Sequence, residues 1–544
     1  MPIKPYSGAF GNPELIHLLR RTIFGVSPSD MKAFNGLTLD QAVDKLLTFN
    51  GTESTVPLRA YKGADKTIDV NIPFGTTWTG IKYNNSESNP DGFRRASYKQ
   101  WWAMLMSRQE RNLREKLVLF WHNHLVTDTN NVVSIAELAY RYNKLLRSSC
   151  IGNFRTLMYN ITVEPAMLRY LNGEKNSSSA PDENYGRELQ ELFCMGKGPD
   201  SKYTEADVKA AARVLTGWTI NYNSDYPAEF KIGRHDTKDK QFSDFYGNKV
   251  IKGINTANAG ADELNALLDM MFSNTELARF IVRKLFRFFV YYDITTDVEN
   301  EFIIPLADQF RAGNYEIKPL LKSFFTSEYF FKAAYRGAMI KSAVDYVVGM
   351  TRQLEMTWPN DPNAFEARYY FANIINNMTL AQGQDVGDPP NVAGWPAYYE
   401  SPAYHEFWLD TATYPARLST ISGFVTNGYS TGTGSTWIYN ESKGKTFKMD
   451  GPAFISKLSN PSDPNILIND LIFFLFGVEV SQKVKDSIKT TYLLKGQTTD
   501  YYWTDAYNSY IANPANPAGD GKGVPKQLQD LIAYLFSAAE YHLH

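Results

Sequence analysis

Helix starts recur along this chain and leave little room for an extended sheet. Asn12-Pro-Glu-Leu-Ile-His-Leu-Leu-Arg20 opens with a capping residue and a proline suited to the first helical position, and Ser27-Pro-Ser-Asp-Met31 repeats that logic. Leu37 to Leu46 continues the pattern. Arg94 to Leu125 predicts two helices with a break around Gln109 to Asn112, and Ala136 to Tyr170 adds more helix. Thr204-Glu-Ala-Asp207 has the spacing of a capping box before Val208, Ala211, Ala212, Leu215 and Trp218, which predicts a helix there. Helical periodicity returns at Ala261 to Phe272, Thr275 to Val290, Ile317 to Leu354, Ile466 to Phe476 and near Gln527 to Tyr541. The expected fold class is therefore mainly α.

Three stretches interrupt that pattern. Gly51 to Asp91 is rich in Gly, Asn, Thr and Ser and reads as a long surface excursion. Residues 219–253 carry short Tyr/Phe/Ile/Val pieces among Gly, Asn and Asp, which suits a small β-hairpin insertion. Residues 425–450, rich in Gly, Ser and Thr, read as a linker or mobile insertion. The organisation that follows is a helical body over 10–425, containing the 219–253 insertion, and a helical C-terminal extension over 426–544.

The 544 residues allow two to four domains at about 100 to 200 residues each, or one large helical body with insertions. A net charge of -2 offers no excess that would favour nucleic acid or an anionic membrane. No apolar run approaches the roughly 20 residues needed to span a bilayer, and the start lacks the charged-then-apolar run of a secretory signal. Two cysteines, Cys150 and Cys194, are too few for a disulfide framework.

Chemistry concentrates in Pro181-Asp-Glu-Asn-Tyr-Gly-Arg-Glu-Leu-Gln-Glu-Leu-Phe-Cys-Met-Gly196. With α-helical winding, Asn184, Glu188 and Glu191 share an arc of roughly 60°, with Arg187 beside them. Glycoside hydrolysis needs one carboxyl group as acid and a second as base or nucleophile. Glu188 and Glu191 point the same way, so the sequence also suggests Asp236 or Glu205 as a partner from another element. The bland alternative is a surface ion pair of Arg187 with Glu191 and a simple cap at Asp207.

His122-Asn-His124 is the second constellation, with His235-Asp236 downstream. Two histidines one residue apart can share a divalent transition metal if the backbone is extended there, but on a helix they diverge by roughly 200°. The metal reading therefore requires the helix to end at Trp121, and a third ligand would come from His235, Asp236 or Glu188. Histidines hydrogen-bonded in a polar core explain the same residues. No phosphate-loop or Gly-x-Ser-x-Gly pattern occurs, which disfavours nucleotide binding and covalent serine catalysis. Cys194, between Phe193 and Met195, reads as a packed thiol. The aromatic loop from Trp395 through Tyr398, Tyr399, Tyr404 and Phe407 to Trp408 either packs over the body, the simpler reading, or offers a stacking platform.

The order of several motifs resembles the bacterial family catalogued as domain-of-unknown-function 1800. They are His17-Leu-Leu-Arg-Arg-Thr-Ile-Phe-Gly25, Arg114-Glu-Lys-Leu-Val-Leu-Phe-Trp-His-Asn-His124, the 181–196 segment, Tyr203-Thr-Glu-Ala-Asp-Val208 with Leu215-Thr-Gly-Trp218, His235-Asp236, and Pro389-Pro-Asn-Val-Ala-Gly-Trp-Pro396. The resemblance implies a predominantly helical bacterial protein and transfers no settled activity. It also implies a periplasmic or extracellular location, although no signal is visible in this chain, and a partner from an uncharacterised family resembling alkaline phosphatases. After Gly394-Trp-Pro396 this chain departs from the Gly-Gly of many relatives and continues Ala397-Tyr-Tyr-Glu.

The leading functional expectation is a hydrolase acting on a polysaccharide or oligosaccharide. Glu188 would be its general acid and Asp236 or Glu191 its base, with His235 also in the catalytic set. Asn184, Arg187, Trp218 and Trp395 would hold substrate. The alternatives are a metal-dependent enzyme or metal-binding protein using His122 and His124, and a non-catalytic envelope scaffold whose polar cluster locks helices together.

Overall fold

The computed structural model of the chain describes residues 3–49, 55–61, 68–82, 89–434 and 436–544, and these form a mainly α structure. The helix starts are largely made as written. Ser27 Oγ accepts the Asp30 N–H at 3.1 Å, and Thr204 with Asp207 closes a reciprocal capping box. At the first helix, Asn12–Thr22, the capping residue is Gly11 rather than Asn12, and the Glu14 carboxylate accepts from the Gly11 N–H at 3.1 Å. The 94–125 region is two helices, Asp91–Arg108 and Arg114–His124.

Strands are confined to three two-stranded antiparallel pieces among the described residues. Two lie in or at the border of the expected insertion: Trp218–Ile220 with Ala228–Phe230, and Lys240–Gln241 with Val250–Ile251. The helix expected to run through Trp218 ends at Val214, and Trp218 opens a strand instead. The third pairs Tyr429–Ser430 with Thr446–Phe447 and corrects the linker reading of 425–450. Phe447 is fully buried against Phe371, Trp358 and Phe424, so that stretch is pinned to the body by an aromatic anchor. The surface excursion is also partly anchored, since Trp78 is buried and Arg94 pairs with Asp69. The parts of that excursion at 50–54, 62–67 and 83–88 lie outside the described residues.

N- and C-terminal regions meet. Arg20 donates to the backbone carbonyls of Leu475 and Leu543 at 2.9 and 2.8 Å, Tyr541 Oη donates to Gln353 Oε1 at 2.9 Å, and His544 and Met339 exchange backbone hydrogen bonds. Close approach of backbones explains Gly25 in the first motif: its φ is +69°, and a Cβ there would sit 2.6 Å from the Gly349 carbonyl oxygen. Both cysteines are buried and free. No helix among the described residues is long and apolar enough to cross a membrane.

Candidate functional site

Helix Arg114–His124 does not end at Trp121; it runs through both histidines and sends their rings to different sides of the core. His122 packs edge-on to Trp102 with centroids 5.3 Å apart. His124 lies near Phe120 and Phe280, and its Nε2 is 3.0 Å from the Phe193 carbonyl oxygen, which makes Nε2–H the donor. Burial, followed by nearby cations, lowers both imidazoles to a pKa of about 3. The extended backbone on which metal sharing depended is therefore absent, a correction to the His122/His124 expectation. Among the described residues no group of three or more His, Cys, Asp or Glu side chains is placed to hold a metal.

Asn123, between the two, has a different use. Its Oδ1 accepts the Trp395 N–H at 2.8 Å, and Gly394 (φ +94°) comes so close that a Cβ would lie 2.6 Å from the Asn123 carbonyl oxygen. Upstream in the same loop, Asp388 accepts from the backbone N–H groups of Thr129 and Asn130 at 2.6 and 2.8 Å. Lys99 pairs with Asp385 and Asp388 at 2.7 and 2.5 Å. The proline- and glycine-punctuated loop is thus fastened to the end of the His-Asn-His helix. Trp395 is only 1% exposed and Tyr398 and Trp408 are buried, so these three rings pack while Tyr399 is half-buried and Phe407 exposed, and Trp395 is not placed to touch a substrate.

The 181–196 segment begins as a short α-helix, Asn184–Glu188, and then widens into π winding over Leu189–Cys194, with the Met195 N–H reaching the Gln190 carbonyl oxygen at 2.8 Å. Such local unwinding is common at functional sites. Gly186 lets it approach helix Glu205–Val214, since a Cβ would meet Ala212 N at 3.0 Å. Arg187 turns outward to a two-bond pair with Glu205, both at 2.7 Å, and to Glu183 at 3.1 Å, while Asn184 is exposed. Neither serves the side on which Glu191 stands. Glu191 pairs with Lys197, not with Arg187.

Glu191 opens onto a cleft of about 580 Å³. One wall is the Glu191–Asp200 stretch. The opposite wall is helix Thr275–Phe289 with Glu299, and Ala393 and Tyr399 close one side. Arg283 is held by Glu276 at 2.5 Å and by Glu299 at 2.6 Å. Lys284 and Arg287 also line the cleft, and among the described residues neither makes an ion pair. Lys284 is half-buried by area yet crowded by protein on its other sides. Burial first, then the Arg287 charge, brings its pKa down to about 8.

Glu188 stands one turn behind Glu191, half-buried, with Oε2 shielded from water and without a hydrogen-bond partner. Burial, and secondarily the charge of Glu191, raises its pKa. The structure thus brings Glu188 and Glu191 together electrostatically. It places the other expected residues elsewhere. Asp236 is fixed to Arg213 at 2.7 Å, which corrects its pairing with the 188–191 carboxylates. His235 is sealed inside the insertion's attachment, with Nδ1 2.9 Å from the Thr216 carbonyl oxygen and Nε2 3.1 Å from Glu263 Oε1, while Lys240 meets Glu263 at 2.5 Å. Trp218 stacks obliquely on Phe230 at 5.5 Å within the same insertion.

The sequence reading missed Glu276, Arg283, Lys284, Arg287 and Glu299, whereas Tyr399, named there as part of a possible stacking platform, does reach the cleft. A signal for part of this set existed: Glu276, Phe280, Arg283, Lys284 and Arg287 recur at three- and four-residue spacing on one face of a helix whose other face is apolar.

No curated protein and no solved structure matches the chain. The family described as protein of unknown function DUF1800 matches residues 17–543, a span that includes every wall of this cleft, and the chain belongs to that family.

Proposed function

We propose that this protein is a hydrolase acting on a glycan, in which Glu191, on the wall of the 580 Å³ cleft, and Glu188, one turn behind it, perform base and acid chemistry. The observation that carries the reading is the Glu188 carboxyl group, raised in pKa by burial and by its carboxylate neighbour and left without a hydrogen-bond partner at Oε2. A general acid needs that bias toward the protonated form. Glu188 would give its proton to the glycosidic oxygen as the carbon–oxygen bond breaks, and Glu191 would take a proton from the attacking water. Phe280 and Tyr399 in the cleft supply ring surface against which a sugar can lie.

The test is Glu188→Gln, assayed on a panel of oligosaccharides with unfolding temperature measured beside it. Turnover should drop about 10² to 10⁴-fold at nearly unchanged stability. Full activity in that variant ends the assignment. A second reading, a cleft that binds a glycan without cleaving it, is favoured by the engagement of Glu191 with Lys197. Wild-type binding without any release of reducing ends would select it.

A further inference from the structure

We propose that Lys284 and Arg287 form an anion-binding subsite, so that the ligand of this cleft is an acidic glycan, one carrying carboxylate or sulfate groups. The inference takes the glycan reading of the cleft as its premise.

It begins with the charges that line the cleft. Lys197 is taken by Glu191, and Arg283 is taken twice, by Glu276 and Glu299. Lys284 and Arg287 remain without a carboxylate. They are three residues apart on helix Thr275–Phe289, a spacing that puts β-carbons roughly 5 to 6 Å apart and lets two long side chains reach one anion. Two cations held this close without a counterion repel each other, and that repulsion is relieved when an anion arrives.

Both heads are also held in place before any ligand comes. The Lys284 ammonium lies 5.3 Å from the Phe280 ring centroid and 6.0 Å from that of Tyr399. The Arg287 Nε–H donates to the Tyr292 carbonyl oxygen at 3.3 Å, and the guanidinium sits 5.7 Å from the Tyr404 ring centroid. Aromatic faces steady a cation without neutralising it. Arg287 thereby keeps its outer N–H groups for a planar acid group, the geometry in which arginine is strongest. Beside this pair, Glu191 and the half-buried Glu188 mark where the bond would be cut.

The experiment is calorimetric titration of the intact protein with three probes: an oligogalacturonate hexamer, a heparin-derived hexasaccharide and neutral maltohexaose. It is run on wild type, Lys284→Gln/Arg287→Gln, Lys284→Arg and Glu188→Gln. Acidic probes should bind wild type at least tenfold more tightly than the neutral one, and the double Gln variant should lose that advantage while its unfolding temperature holds. The carboxylate and sulfate arms tell which acid group is preferred. Affinity for the acidic probe should weaken as pH rises through about 8 in wild type, and Lys284→Arg should flatten that profile because arginine keeps its charge. The other charged or titratable groups around Lys284 are Glu276, Arg283 and Arg287 on its own helix, Glu191, Lys197 and Asp200 opposite, Glu299, Tyr399 and the neutral His124; Lys284→Arg leaves all of them in place.

Equal affinity for neutral and acidic probes, no binding of either acidic probe, or full acidic binding by the double Gln variant would each overturn the subsite. The hydrolase reading fails separately. Acidic probes bound with wild-type preference but never cleaved would remove the catalysis and leave the subsite standing.

Discussion

Two regions of this molecule use nearly the same side chains to opposite ends. In the insertion's attachment, Lys240, Glu263 and His235 are packed together with their side chains fully buried, and Lys240 and Glu263 neutralise each other. Glu263 also accepts the Ile254 N–H at 2.8 Å, and Lys240 donates to the Asp236 carbonyl oxygen. Lining the cleft, Lys284 and Arg287 have no ion-pair partner among the described residues, and Glu188, one turn behind Glu191, keeps an Oε2 without a hydrogen-bond partner. The difference teaches that residue type does not separate a structural knot from a site. Whether a charged head meets a counter-charge or faces open space does, because a charge buried without a counter-charge is costly.

The largest test is a pH titration of stability. His17, His122, His124 and His542 are each lowered to a pKa of about 3, chiefly by burial. An unfolded histidine titrates near 6.5, so below that pH the unfolded chain takes up protons that the folded chain refuses. The stability these groups confer is complete above pH 6.5 and is lost as pH falls toward 3. By pH 5 each costs about 2 kcal/mol, and together they cost several. Urea unfolding between pH 7.5 and 5 should show this; a flat curve would mean that these imidazoles are not sealed as described. The cleft gives a change of the same sign in an alkaline window. The pKa of Lys284 is lowered to about 8, so the stability linked to it rises as pH climbs from there toward the ordinary lysine value.

Glu263→Gln breaks the sealed side of the comparison most directly. It leaves Lys240 buried without its counter-charge, and removal of one partner from a buried pair costs about 3 to 5 kcal/mol. Unfolding free energy should fall by that amount, while turnover per folded molecule stays within about twofold. A loss of less than about 1 kcal/mol would show that the knot does not hold the insertion.

Gly394→Ala reaches the support of the cleft alone, the contact between the loop and the His-Asn-His helix. A methyl group there drives into Asn123, and forcing one atom into a packed contact costs about 1 to 3 kcal/mol. Because Ala393 and Tyr399 on the same loop line the cleft, ligand affinity should fall along with stability. Calorimetry on the variant checks both, and a loss of stability with intact affinity would disconnect the loop from the site.

Much of the fold was legible because caps and periodicity are local. Ser27, Thr204 and the break after Arg108 act over three or four residues, and the structure uses them as the sequence implies. Phe447 was not legible, since nothing in a Gly/Ser/Thr-rich stretch says that Phe371 and Trp358 await it. The site divides along the same line. Glu188 and Glu191 could be seen as neighbours because they share one helical segment, although the π winding over Leu189–Cys194 alters the arc that α geometry assigns them. Which wall Glu191 would face was hidden, because the cleft joins residues 191–200, 276–299 and 393–399, and no local rule pairs segments that far apart. His235-Asp236 and His122-Asn-His124 misled for a related reason: a motif reports that residues matter, and burial and partners report what they are for.

The smallest expected effect on stability belongs to Lys284→Met, and its smallness is the point. In a structural role, removing a half-buried lysine head should weaken the fold. In a binding role the folded protein carries an uncompensated charge, and exchanging it for an apolar side chain of similar length should leave stability unchanged or raise it by up to about 1 kcal/mol. Lys284 has no ion pair to lose, and the Arg287 charge beside it is repulsive, so the second outcome is expected. The same variant should abolish the pH dependence of acidic-ligand binding near pH 8. If Lys284→Met instead destabilises the protein by 2 kcal/mol or more, the cleft belongs with the Lys240 knot, and the contrast between the two regions fails at the residue on which it depends most.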